Sequence, residues 1–146
     1  MYNTIMKKAI KVIIDTNVVL SALRSKNGAS NKLMTLLGTN KFLPCISIGL
    51  ILEYEDVLLR KLHHINKNDV ENFLDYICKV SEHTKVHFLW RPTLSDPSDD
   101  MLLELAVAAN ATYIITFNIA DFKAARQFNI KIIKPKDFLI LIGEIS

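Results

Sequence analysis

The chain holds only two cysteines, Cys45 and Cys78, in 146 residues, and neither belongs to a CxxC pair. Both sit among apolar neighbours. No disulfide framework is expected, and two free thiols in a reducing, cytoplasmic compartment is the plain reading. Long apolar runs are also lacking. No stretch approaches about 18 uninterrupted apolar residues, so no transmembrane helix is expected. Residues 1–10 carry Lys7 and Lys8 and lead straight into a strand-like segment, without the apolar core of a signal peptide. Glycine and proline are scarce, at four each. There is no linker rich in Gly, Pro or Ser, and no internal repeat. No GxxxxGK[ST] phosphate loop, GxGxxG turn or GxSxG elbow occurs. A zinc site is not expected either: His63 and His64 are adjacent and lie among lysines, and His83 and His87 have no cysteine beside them.

What is present is a large apolar fraction. Half of the residues are hydrophobic, enough for a sizeable core and too many for a disordered chain. The length suits one domain. The formal charge is +3, with a pI near 8.8. That excess lowers the cost of approaching phosphate without establishing a nucleic-acid partner.

The apolar residues are patterned. Residues 11–15, Lys-Val-Ile-Ile-Asp, form a β-branched run without alternation, as in a parallel strand covered on both faces. A helix over about 17–23 follows, and Asn27-Gly28 marks a break. A second helix over 30–37 stops at Gly38. Residues 42–46 read as a second strand, in which Pro44 points to an edge or an end. Ser47 is the expected N-cap of a helix running to about residue 61, with Leu50, Tyr54, Val57 and Leu58 at helical spacing. Another helix covers about 68–79. A third strand is expected at 85–89, then a loop over 90–97 and a helix over 101–109. A fourth strand over 113–116, a helix near 122–128 and a strand over 130–133 come next. Pro135 opens a terminal helix to about residue 142. Strands thus alternate with helices from end to end. That order predicts a three-layer α/β/α sandwich around a central parallel sheet, in one domain over 1–146 with its core at about 10–142.

Ligands of such sheets bind beyond the carboxyl ends of the strands. Asp15 closes the first strand there, followed by Thr16 and Asn17. It is placed either to cap the next helix or to act in a site. Glu53 falls on the stripe marked by Leu50 and Val57, where a charge needs a cation, a metal or a proton; a salt bridge with Arg60 is the structural alternative. Asp96, Asp99 and Asp100 gather at a helix start. Periodicity puts Asp100 with Leu103 and Val107, and Asp99 with Leu102, Leu103 and Ala106, so it does not choose between them. Thr116 ends the fourth strand, with Asn118 and Asp121 close behind; turn and cap chemistry is their structural alternative. Carboxylates at one sheet edge repel one another unless a cation joins them. Carboxylate oxygens favour hard ions such as Mg²⁺ or Mn²⁺, which can orient a water, lower its pKa and neutralise charge on a phosphorane.

Five segments resemble the PIN-domain family, in the branch of toxin components of toxin–antitoxin systems. Val12-Ile-Ile-Asp-Thr-Asn-Val-Val-Leu-Ser-Ala22 resembles its opening motif. Ser47 through Leu58, with Glu53 inside, resembles the second. Asp96-Pro-Ser-Asp-Asp-Met-Leu-Leu-Glu-Leu-Ala106 resembles the third, and Tyr113-Ile-Ile-Thr-Phe-Asn-Ile-Ala-Asp-Phe122 the fourth. Lys134-Pro-Lys-Asp-Phe-Leu139 resembles the ending common in this branch. The order is kept over almost the whole chain.

The resemblance implies a metal-dependent ribonuclease with Mg²⁺ or Mn²⁺ held by a carboxylate cluster. By position, Asp15 is the first acid, Glu53 the second and Asp100 the third, the spacing to Thr116 selecting Asp100 over Asp99. The fourth position holds Asn118 where the family often has Asp, and Asp121 lies three residues on; either completes the set. Thr16, Asn17 and Thr116 are expected to orient substrate or hold Asp15. Expected partners are RNA, a cognate antitoxin protein and a second copy of the chain, with no membrane. Lys26, Arg60, Lys61, Lys123 and Arg126 are the cations expected to guide an RNA backbone. The rival reading is a catalytically decayed PIN-like module that binds RNA or protein. A phosphatase or a flap nuclease of similar fold would need a helical clamp or cap, for which the chain is short.

Overall fold

The computed structural model describes residues 9–86 and 97–146. Among them, β1 (Lys11–Ile14), β2 (Leu43–Ile46), β3 (Glu82–His83), β4 (Tyr113–Ile115) and β5 (Lys131–Ile133) form one five-stranded sheet in the order β3-β2-β1-β4-β5. Every pairing is parallel. Six α-helices accompany the strands: α1 (Thr16–Arg24), α2 (Ala29–Thr35), α3 (Ile48–Lys61), α4 (Lys67–Val80), α5 (Pro97–Ala109) and α6 (Pro135–Leu141). A 3₁₀ helix, Ile119–Phe128, links β4 to β5. This is the three-layer α/β/α arrangement expected from the alternation of elements.

The sheet is buried because its strands offer apolar residues to both faces. Val12 and Ile13 of β1 and Ile114 and Ile115 of β4 are fully inaccessible. α5 is nearly as enclosed, packing on β1, β2 and β4 while meeting α3 and the 3₁₀ helix. Leu102, Leu103, Leu105 and Ala106 are all buried, whereas Val107, which periodicity groups with Asp100, is exposed. The strand order decides where a ligand can sit. From β1 the chain adds β2 and β3 on one side, then returns to add β4 and β5 on the other. The reversal falls between β1 and β4, which opens a crevice at their carboxyl ends.

Several local expectations hold and one shifts. Ser47 caps α3, its side chain accepting a hydrogen bond from the Leu50 amide at 3.1 Å. Of the two places expected for Pro44, it takes the end and not the edge: it lies near the start of β2, an interior strand. The Leu43 amide donates to the Ile10 carbonyl at 2.8 Å, so Leu43 faces β1 and Pro44 turns its donor-less nitrogen the other way. There β3 has not begun, since its first pair is Cys45 with Glu82. The proline therefore removes no ladder bond. The third strand sits at Glu82–His83 rather than at 85–89: residues 84–86 are not in a strand, and 87–89, the loop over 90–96, His87 and Asp96 lie outside the described residues. Neither cysteine is in a disulfide, Cys45 being buried and Cys78 half-buried.

Gly38 follows α2 with φ +80, and a β-carbon built on it would meet the Tyr76 hydroxyl at 2.8 Å. That hydroxyl is held in place by donating to the Leu37 carbonyl at 2.9 Å. Gly143 has a similar φ of +78 with nothing within 4 Å. Gly143→Ala should lower stability by about 1–2 kcal/mol, the left-handed backbone penalty alone. Gly38→Ala should be clearly more destabilised in denaturant unfolding. Equal effects would show that Tyr76 does not press on this turn.

Candidate active site

The crevice between β1 and β4 is built by two residues that leave their strands side by side. The Asp15 amide donates to the Ile115 carbonyl at 2.9 Å, and the Thr116 amide to the Ile133 carbonyl at 2.9 Å. Asp15 and Thr116 therefore emerge in register at the sheet's carboxyl edge. Thr116, fully buried, donates its hydroxyl to Asp15 Oδ2 at 2.7 Å. Its oxygen in turn accepts from the Asn118 amide at 3.0 Å and from Asn17 Nδ2 at 3.5 Å. Because the single hydroxyl proton is directed at Asp15, the Asn17 group facing Thr116 must be its NH₂. Asn17 Oδ1 is left buried without a hydrogen-bond partner among the described residues.

Asp15 occupies the N-cap position of α1, yet its side chain makes no capping hydrogen bond. It is 7% exposed. Burial pushes its carboxyl above the usual range. The Thr116 hydroxyl and the Thr16 and Asn17 amides pull it down, and the nearby charge of Glu53 pushes it up further.

Glu53 reaches this place from α3. Leu50, Tyr54 and Leu58 bury one side of that helix. Glu53 is half-buried beside them and accepts a short hydrogen bond from the Thr16 hydroxyl. Its neighbour Tyr54 is 2% exposed and donates to the Ile14 carbonyl, the last of β1. Burial first, then the charges of Asp15 and Glu53, hold the Tyr54 phenol well above its usual value, so it stays a neutral donor. Arg60, the cation that would have made Glu53 structural, instead pairs with Asp56 at 3.2 Å.

The remaining candidates are placed as follows. α5 begins at Pro97, so Asp99 and Asp100 lie in its first turn rather than at a cap; Asp100 is buried and Asp99 half-buried. Asn118 and Asp121 are exposed, and the Asp121 amide donates to the Asn118 carbonyl at 3.1 Å. Glu104, buried at 7% exposure, is an acid that the sequence reading misses. The four-residue spacing from Asp100, which puts both on one side of α5, is the signal that could have found it. The structure thus brings together Asp15, Thr16, Asn17, Glu53 and Thr116. Among the described residues no three His, Cys, Asp or Glu side chains form a group able to hold a metal ion.

The PIN domain family model matches residues 11–120. The chain belongs to the PIN-domain family, whose members are generally nucleases and typically use divalent metal ions. No curated protein matches it.

The residues present fit such an ion. Asp15 and Glu53 are two carboxylates close enough to repel each other, held by neutral hydroxyls that leave their charge intact. Asn17 adds a buried amide oxygen with no hydrogen bond of its own among the described residues. Magnesium is commonly bound by one or two carboxylates, with waters and substrate phosphate completing its shell.

Asp15 also makes a pH-dependent stability difference. The folded chain binds the Asp15 proton more tightly than the unfolded chain does. Ionised Asp15 therefore subtracts stability above its raised pKa, and the deficit is recovered as pH falls through that value. In chelator-containing buffer, Asp15→Asn should melt higher than the parent at pH 7, at about 2–4 °C per kcal/mol for a chain of this size. The difference should vanish as the pH falls to about 4, near the value for an unperturbed Asp. A difference independent of pH would place its origin elsewhere.

Proposed function

We propose that this protein is a metal-dependent ribonuclease that hydrolyses RNA phosphodiester bonds, and the toxin of a toxin–antitoxin pair. The observation that carries the reading is the Asp15–Glu53 pair, mutually repelling at the switch point of the sheet and tethered by Thr116 and Thr16. Asp15 and Glu53 hold Mg²⁺ or Mn²⁺, and Asp100 is the third acid. Asp121 or Asn118 completes the set or steadies a water. When bound, the ion supplies Lewis acidity to the phosphate and lowers the pKa of the attacking water.

The chain's own residues do the rest. The Thr116 hydroxyl fixes the Asp15 carboxylate, and the Thr16 hydroxyl does the same for Glu53. Asn17, whose NH₂ reaches Thr116, adds an amide oxygen with no hydrogen bond among the described residues. Tyr54 fastens α3 to the end of β1, so the spacing of the two acids survives their repulsion. The partners in this reading are RNA, a cognate antitoxin and a second copy of the chain. The free thiols suit a cytoplasmic location, and no helix among the described residues is long and apolar enough to cross a membrane.

A second reading has one observation in its favour. Without a group of three metal-holding side chains among the described residues, and with Asn118 in the fourth position, the domain could be a decayed module that binds RNA or protein.

The two readings separate on a mixed RNA substrate with and without Mg²⁺, with DNA and a phosphomonoester in parallel. Magnesium-dependent cleavage confined to RNA is expected. Thr16→Val and Thr116→Val should be about 10–100-fold less active, as for residues that orient metal ligands. Asp15→Asn and Glu53→Gln should be weaker still. Equal activity of the parent and Asp15→Asn would sink the ribonuclease reading.

A further inference from the structure

A groove of about 590 Å³ runs between the 3₁₀ helix and β5, the strand at the edge of the sheet. Its floor is apolar, with Ile119, Phe122 and Ile132 among its lining, and its rim carries Lys123, Arg126 and Lys131. The segment is kinked at Phe122, whose backbone is not helical. Phe122 and Ala125 are buried, while Lys123 and Arg126 are exposed. Lys131 faces them from the start of β5. Asp121, the one carboxylate of the 3₁₀ helix, is not part of the lining. Among the described residues none of the three cations is in an ion pair. Three like charges around an apolar trough complement a polyanion that also has apolar surface to bury.

The groove's position matters equally. It starts at Ile119, three residues beyond the Thr116 that holds Asp15. Between them Phe117 is 41% exposed, an aromatic face open to solvent at the border of the candidate site.

We propose that this groove binds the single-stranded RNA segment flanking the cleaved bond. Lys123, Arg126 and Lys131 take its phosphates, and Phe117 stacks on a base at the entrance. This rests on the ribonuclease reading and assigns its substrate a binding groove. A single strand is specified because the apolar floor and Phe117 meet base faces, which a duplex keeps stacked inside itself.

Binding without catalysis tests it. A fluorescent oligouridine of twelve nucleotides is titrated by anisotropy in EDTA across a range of salt, beside an RNA duplex of equal length and an oligoglutamate peptide. The variants are Lys123→Gln/Arg126→Gln/Lys131→Gln and Phe117→Ala, with melting curves to confirm that these exposed changes leave the fold intact. The triple variant should bind the single strand at least tenfold more weakly. Its log–log salt slope should fall by about 2, since each of three phosphates left without its cation removes about 0.7. Phe117→Ala should weaken binding about tenfold with the slope unchanged. An unchanged slope in the triple variant overturns the proposal. So does duplex bound as tightly as single strand, or a weakening in the triple variant confined to oligoglutamate, which would mark a docking site for an acidic protein. Because no cleavage is read, a chain inactive on RNA that still shows these changes overturns the nuclease reading and leaves the groove assignment standing.

Discussion

A carboxylate that the protein buries without neutralising is the constraint around which this structure is arranged. Asp15 leaves β1 at the one place in the sheet where the chain's connections depart to opposite sides. Burial and the charge of Glu53 both oppose its ionisation. The surroundings answer with position rather than countercharge. Thr116 is brought beside Asp15 by the β1–β4 register, and Thr16 grips Glu53. Tyr54 locks the helix carrying Glu53 to the last carbonyl of β1. Removing any of these hydroxyls would let two like charges move apart. Supplying a lysine instead would hold them but cancel the negative potential that a cation requires.

The opposite end of the sheet shows what the same fold does with a carboxylate when it is structural. There Glu82 pairs with Lys11 at 3.1 Å, and Lys11 also donates to the Ala109 carbonyl at 3.3 Å. Cys45 lies within 3.8 Å of Glu82, and burial, followed by the Glu82 charge, pushes its thiol up to about 12. That cluster is electrically closed, and its thiol is inert as a nucleophile. At the carboxyl end Asp15 and Glu53 meet hydroxyls and amides, and an amide oxygen is left without a partner among the described residues. Two clusters in one sheet thus separate a charge that is matched from a charge that is held open.

The fold is largely legible in the sequence because its signals are local. The apolar run of β1, the Ser47 cap and the helical spacing of α3 each follow from a few adjacent residues. The third strand escapes the pattern for a physical reason: Glu82–His83 is short, polar and at an edge, so it carries no apolar pattern, and pairing with Cys45 and Ile46 alone makes it a strand. Pro44 fits an edge or an end alike, because a sequence does not say how far a neighbouring strand extends. In the site, Asp15 and Glu53 are visible as charges in apolar settings. Their tethers are not, since Thr16–Glu53 and Tyr54–Ile14 join residues far apart in sequence. Glu104 is hidden because α5 is buried on most sides, and a helix without a polar face gives no direction by which to judge one of its acids.

The distribution of charge, rather than its net value, is what the topology controls. A formal charge of +3 is compatible with many functions. Here the switch point gathers carboxylates at the centre of the sheet's carboxyl edge, while Lys123, Arg126 and Lys131 line the groove beside β5, the edge strand that Lys131 opens. The separation is necessary on electrostatic grounds. Long cationic side chains at the centre would fold onto Asp15 and Glu53 and neutralise them, as Lys11 neutralises Glu82 at the other end. The intervening segment, kinked at Phe122, prevents this by anchoring Phe122 and Ala125 in the core and leaving Lys123 and Arg126 outside it. That anchoring fixes the backbone from which Lys123 and Arg126 project, so their charges belong to the flank of the sheet and not to its centre.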